Sequence, residues 1–146
     1  MNLLIASDHA GYGLKEALKK RAPEIGVDFT DLGPENGESV DYPDYGHKLA
    51  RELIARGAET NLGILICGSG VGISIAANRH PEIRAVLAES TQVARLGREH
   101  NHANVLCFGS RIVSEDQALA LIKEFVAATP DPAPRHLRRI EKLKTC

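Results

Sequence analysis

The sequence predicts an α/β protein, a five-stranded, mostly parallel sheet with helices on both faces and a further helix at the C-terminus. Three observations lead there. Short apolar runs end repeatedly at polar or glycine-rich turns, and segments with helical apolar spacing lie between them. The length, 146 residues with 43% hydrophobic and 25% charged side chains, suits one ordinary globular domain that needs no disulfide staples.

Leu3-Leu4-Ile5-Ala6, closed by Ser7-Asp8-His9, reads as a buried parallel strand. Leu14, Ala17 and Leu18 then recur at helical spacing among lysines. Val27 to Leu32 alternates and predicts a second strand nearer an edge, followed by a polar loop from Gly33 to Asp41. Pro43 starts a helix carrying Leu49, Leu53 and Ile54, which stops at Gly57. Gly63 to Cys67 is the most apolar strand and the expected centre of the sheet. Gly68-Ser69-Gly70-Val71-Gly72 turns the chain into a helix through Asn78, ended by Pro81. Ile83–Ala88 and Ala103–Phe108 read as strands around a helix over Thr91–Glu99. Ser114 caps a helix over Glu115–Ala127, Asp131-Pro132-Ala133-Pro134 breaks it, and a basic helix runs from Arg135 to Lys144.

Lys plus Arg number 18 and Asp plus Glu 19, a balance that argues against a nucleic-acid or anionic-membrane partner. The cysteines are Cys67, Cys107 and Cys146, with no CxxC pair, so neither a disulfide framework nor a zinc site is expected; Cys107 reads as core and Cys146 as a frayed end. The first apolar run is too short for a signal peptide. The longest, Leu62 to Ala77, is interrupted by Gly68, Gly70 and Gly72 and does not span a membrane. The expected address is the cytoplasm.

In parallel sheets the ligand crevice lies at the carboxyl ends of the strands. That rule selects Ser7–Gly11, Cys67–Gly72, Glu89-Ser90 and Gly109–Arg111. Cys67 leaves a buried strand directly before glycines that let a backbone approach a ligand with its N–H groups, and a helix start follows. Both features favour anions: a phosphate, a developing oxyanion or a thiolate. Equally, Cys67 fits a buried residue ending a strand. The glycines also invite a dinucleotide reading with Glu89 as the ribose acid, but Ile73 stands where GxGxxG needs glycine. Asp8 and His9 can orient hydroxyls and bind phosphate, or cap a helix and meet solvent. His100 can act as an acid or base with Asn101 donating beside it, or the pair is a polar loop. Arg135 and Arg139, four apart, share a helical face and suit a phosphate dianion, or form a solvated tail; Arg111 is a further cation. Tyr42 faces the crevice or staples a loop, and His47 and His80 read as surface helix positions.

In order, Asp8-His9-Ala10-Gly11, Asp41-Tyr42-Pro43-Asp44-Tyr45, Cys67 to Arg79, His100-Asn101, Asn104-Val105-Leu106, Phe108-Gly109-Ser110-Arg111 and Arg135-His136 with Arg139 resemble the ribose-5-phosphate isomerase B family, which includes hexose-6-phosphate isomerases. The resemblance covers about residues 3 to 140. It implies a three-layer Rossmann-like sandwich and aldose–ketose isomerisation of a phosphorylated sugar without metal or nucleotide, at sites built on the interface of a homodimer; a tetramer is the alternative assembly. Ribose 5-phosphate leads as substrate, with allose, galactose or tetrose phosphates as alternatives. The resemblance assigns Cys67 as the base and the Gly68–Gly72 loop (Gly68, Ser69, Gly70, Val71, Gly72) to the enediolate. It assigns His100 to ring opening, Asp8 and Asn101 to hydroxyls, His9, Arg111, Arg135 and Arg139 to phosphate, and Tyr42 to the lining. A second branch of the family has Gly for the Cys and Glu six residues later; Cys67 and Ile73 put this chain in the cysteine branch. His102 stands where the family usually has Asp, and Pro134 where Gly commonly precedes the Arg. Two readings from other classes are a nucleotide-dependent oxidoreductase and a non-catalytic phosphosugar sensor.

Overall fold

The computed structural model describes residues 1–144; Cys146 lies outside the described residues. The chain forms β1 (Asn2–Ser7), α1 (Tyr12–Arg21), β2 (Asp28–Asp31), α2 (Tyr42–Ala55), β3 (Gly63–Cys67), α3 (Val71–Ala77), β4 (Ala85–Leu87), α4 (Thr91–Asn101), β5 (Val105–Gly109), α5 (Glu115–Ala127) and α6 (Pro134–Leu143). The strands make one sheet in the order β2-β1-β3-β5-β4. Every neighbouring pair is parallel, so the expected "mostly parallel" sheet is wholly so. The most apolar strand, β3, is at its centre and β2 is at an edge, as the sequence predicts.

Successive residues of a strand face opposite ways, so a strand covered on both sides must be apolar throughout. Leu3, Ile5, Ile64, Ile66, Leu106 and Phe108 pack with Leu18 of α1, Ala94 of α4 and Leu121, Ile122 and Phe125 of α5. Their alternates Leu4, Ala6, Leu65, Cys67, Val105 and Cys107 pack with Leu49 and Leu53 of α2 and Ile73 of α3. Two apolar layers result, and each fully buried large side chain contributes about 1.5–3 kcal/mol. Burial pushes the Cys107 thiol well above its ordinary range, in keeping with a core cysteine.

Several expected boundaries move: α4 runs on through Asn101, so His100 and Asn101 end a helix and are not a loop, β5 is Val105–Gly109, and two others have clear local reasons. β4 is shorter than Ile83–Ala88 because the Arg84 N–H donates to the Asn104 side chain at 2.8 Å instead of joining the ladder. The same buried amide donates to Ala58 O and Glu82 O, stitching three loops together. α3 stops at Ala77, and Asn78 turns its amide onto β4, giving to Ala85 O at 2.9 Å and accepting from Ala85 N at 2.8 Å. A side chain thereby occupies part of the edge of the sheet. The opposite edge is held by charge: the fully buried Lys15 of α1 and its neighbour Lys19 both donate to Asp31 of β2. Burial alone raises the Asp31 carboxyl, but the two ammonium groups outweigh it and hold it below the usual range.

Candidate active site

β1 and β3 are adjacent, yet their following helices cover opposite faces of the sheet, which opens a crevice beyond their carboxyl ends. It encloses about 350 Å³ and is lined by Asp8, His9, Tyr42, Cys67, Gly68, Ser69, Gly72 and Arg111, among others. Nine sequence-selected residues or loop positions of the first half of the chain and of the β5 terminus thus meet here or directly behind it, counting Gly70.

Each is held for a local reason. Cys67 ends β3 with 4% of its surface exposed, and the Gly70 N–H donates to its Sγ at 3.1 Å. The Val71 N–H donates to Ser69 Oγ at 3.3 Å. Gly70 has φ +79°, and a Cβ there would stand 2.7 Å from the Phe108 carbonyl carbon and 2.6 Å from Leu87 Cδ1. A methyl group therefore meets both a disfavoured backbone region and occupied space. Gly70→Ala is expected to lower stability by about 2–4 kcal/mol, read as an earlier urea midpoint. A midpoint within experimental scatter of native would show that the turn relaxes freely.

At Gly72 the reason is close approach, since a Cβ would lie 2.6 Å from the Tyr42 ring. Tyr42, at the start of α2, therefore lies directly over the glycine loop. Asp8 is buried and its Oδ1 accepts from Gly11 N at 2.9 Å, so it holds its own turn while facing the crevice. His9 is exposed, with Nδ1 3.2 Å from Val40 N and 3.1 Å from Val40 O. The floor is sewn by Ser110 N to Cys67 O at 2.9 Å and Arg111 N to Gly68 O at 3.1 Å. The Arg111 guanidinium lies against Gly68.

The remaining selected residues are elsewhere in the chain. α4 runs back from the carboxyl end of β4 to the amino end of β5, so His100 and Asn101 lie at the amino end of the sheet and Cys67 at its carboxyl end. Five strand residues at about 3.3 Å each separate the two ends by roughly 16 Å. α6 packs on α4, and the His100 and His136 rings stack with centroids 4.5 Å apart and planes 9° apart. Arg135 and Arg139 are exposed beside them. A single chain therefore carries two separate clusters, one with the cysteine and one with the histidine and arginines.

Other residues resolve simply. Ser90 caps α4, its Oγ accepting from Val93 N at 3.3 Å; Glu89 is exposed and is not among the crevice residues. His47 and His80 are half-buried rather than free surface positions, with Nδ1 and Nε2 2.9 Å apart. Burial first, then His47, lowers the His80 pKa. His80 stands in the turn after α3, because Asn78 has already closed that helix. His136 and Asp131 carry no role in the sequence reading, and their only local signal is a place beside the arginines. Among the described residues no three His, Cys, Asp or Glu side chains converge as a metal site, and no helix is long and apolar enough to cross a membrane.

The all-parallel sandwich is that of an isomerase class: residues 3–143 match the family described as Ribose/Galactose Isomerase. The chain belongs to that family. Its relatives include ribose-5-phosphate isomerase B of Escherichia coli, 42% identical over 93% of this chain and 89% of the relative. The solved ribose-5-phosphate isomerase B of Clostridium thermocellum superposes with a TM-score of 0.90 at 42% identity, covering 99% and 95% of the two chains. That of Mycoplasma genitalium, solved with bound ribulose 5-phosphate, gives a TM-score of 0.89 at 38% identity over 98% and 93%.

Proposed function

We propose that this protein interconverts ribose 5-phosphate and ribulose 5-phosphate through an enediolate. The observation that carries the assignment is the match over residues 3–143, joined to a cysteine at the carboxyl end of the central strand in a crevice. Cys67, as thiolate, removes the C2 proton of the open-chain aldose. The electron pair forms the C1–C2 double bond and the carbonyl oxygen becomes anionic. A proton passes between the two oxygens, and the Cys67 thiol returns its proton to C1. The C2 proton is far too weakly acidic for a thiolate unless the developing oxyanion is stabilised. Main-chain N–H groups of the Gly68–Gly72 loop serve that purpose; one such donor is worth about 3–4 kcal/mol in other enzymes. Ser69 joins that loop at the enediolate, Asp8 orients the sugar hydroxyls, and Tyr42 and the glycines line the site.

The histidine half-site completes the reaction from a second copy of the chain. His100 moves the proton that opens the sugar ring, Asn101 holds a hydroxyl, and Arg135 and Arg139 join His9 and Arg111 on the phosphate. Two faces favour this pairing. Val71 and Ile75, 46% and 59% exposed, are four apart on the outer side of α3 beside the glycine loop. A cavity of about 450 Å³ along β4, with Ile83, Val86, Leu87 and Leu143 in its wall, includes Asn101. A two-fold pairing sets the first face of each copy against the second of its partner. A dianionic substrate that cannot diffuse through lipid fits a cytoplasmic enzyme.

A panel of phosphosugars (ribose, allose, galactose and tetrose phosphates) assayed for ketose formation tests the assignment. Ribose 5-phosphate is expected to turn over fastest. A chain that converts none of them, though it binds them, is a sensor instead. Replacing Arg135 and Arg139 together by Ala is expected to reduce kcat/KM on the phosphosugar by about 100-fold, two charge-assisted hydrogen bonds at roughly 1.5 kcal/mol each. Unchanged preference over the unphosphorylated sugar would remove both arginines from the phosphate site.

A further inference from the structure

The segment between α5 and α6 has no regular structure, yet its centre is pinned. The Asp131 N–H donates to Glu99 O on α4 at 2.8 Å. His102 Nε2 lies 2.8 Å from Asp131 O, and since a carbonyl only accepts, that nitrogen carries the ring proton. His102 reaches it because it closes α4 in the left-handed region, φ 49° and ψ 39°. An Asp at this position, the residue the family resemblance leads one to expect, has no proton to give that carbonyl at neutral pH. Asp131 Oδ1 accepts from Ala133 N at 2.8 Å, just before Pro134 begins α6.

That leaves Asp131 Oδ2, which faces His136 Nε2 at 3.3 Å and Arg135 Nη2 at 3.7 Å. His136 is 5% exposed and its Nε2 has no hydrogen-bond partner, so the carboxylate is its one compensating contact there. The other ring face of the pair belongs to His100, stacked at 4.5 Å. The surrounding charged or titratable groups are Glu99 and His102 from α4, Asp131 from the tail, and Arg135 and Arg139 from α6.

We propose that Asp131 is a positioning residue that fixes the tail on α4, holds His136 flat against His100 and keeps a proton available to the stacked pair. Burial, Arg135 and His100 push the His136 pKa down, and Asp131 opposes them. The carboxylate thus governs how readily the buried ring stacked on His100 takes up a proton while a sugar ring opens. The catalytic consequence rests on the isomerase assignment above; the placement does not.

Asp131→Asn tests this, because the amide oxygen can still accept from Ala133 N while the charge is gone. The His136 Cε1 proton resonance is expected to titrate at least about 0.5 pH unit lower than in the native chain. Turnover of ribose 5-phosphate is expected to fall at least about fivefold more than exchange of the C1 proton of ribulose 5-phosphate, a ketose whose hydroxyls cannot close a five-membered ring. Native titration with reduced turnover reduces Asp131 to a tail clip and overturns the proposal, as does an equal loss in both reactions. If the variant fails to dock its tail, the native chain decides. There the His136 resonance should show a second inflection in the acid range where Asp131 protonates, and a single-step titration overturns the coupling. A native chain inactive on every phosphosugar sinks the isomerase assignment, and the titrations still decide where Asp131 acts.

Discussion

Cys67→Ala is expected to lose about 10³–10⁴-fold in exchange of the ribose 5-phosphate C2 proton with solvent deuterium, the range spanned by removal of a positioned proton-transfer group. The fold should survive. Residue 67 ends β3 on the face covered by α2 and α3, and its thiol accepts from the Gly70 amide. Ala keeps the strand and leaves a small void, a cost of roughly 1 kcal/mol. Phosphosugar affinity should change little, since the proposed phosphate anchors are His9, Arg111, Arg135 and Arg139. Mass-spectrometric deuterium uptake into both sugars reads the loss directly. Exchange at near-native rate in a folded variant would falsify the assignment of Cys67 as base and point to another group in the crevice, with buried Asp8 the first to examine.

The second large effect concerns chains in combination. Cys67→Ala and His100→Asn are each expected to be nearly inactive on ribose 5-phosphate. Unfolded together in equal amounts and refolded, they should recover about a quarter of native activity. About half the dimers are then mixed, and each mixed dimer has one site with both residues intact. The same mixture made from separately folded dimers should recover only as fast as subunits exchange. A site completed within one chain predicts no recovery at all, whatever the mixing. The measurement thus converts the roughly 16 Å separation of the two half-sites into a count of working sites. In a His100→Asn chain alone, loss on the cyclic aldose should exceed loss in ketose proton exchange; equal losses would remove His100 from ring opening.

Much of this was legible in the residues. A strand covered on both faces is apolar along its whole length, so Leu3–Ala6 and Gly63–Cys67 declare themselves, and the sheet class follows. Spacing shows Arg135 and Arg139 to be on one helical face, and the carboxyl-end rule brings Asp8, Cys67 and Arg111 together before any coordinates exist. The same rule is silent on His100, which its own polar cluster with Asn101 and then the ordered motifs pick out, because α4 delivers it to the amino end of the sheet.

By itself the sequence determined the layers, the central strand, the glycine turn and the identity of the chemical groups, since these depend on local periodicity and backbone freedom. Only the tertiary structure decided that the groups fall into two separate clusters, that His102 grips the Asp131 carbonyl and that His136 lies flat on His100. Those contacts join α4 to a tail some thirty residues later in the chain, and no local pattern encodes them. They arise when helices without mutual periodicity are packed onto one sheet, where direction, not spacing, sets which side chains meet.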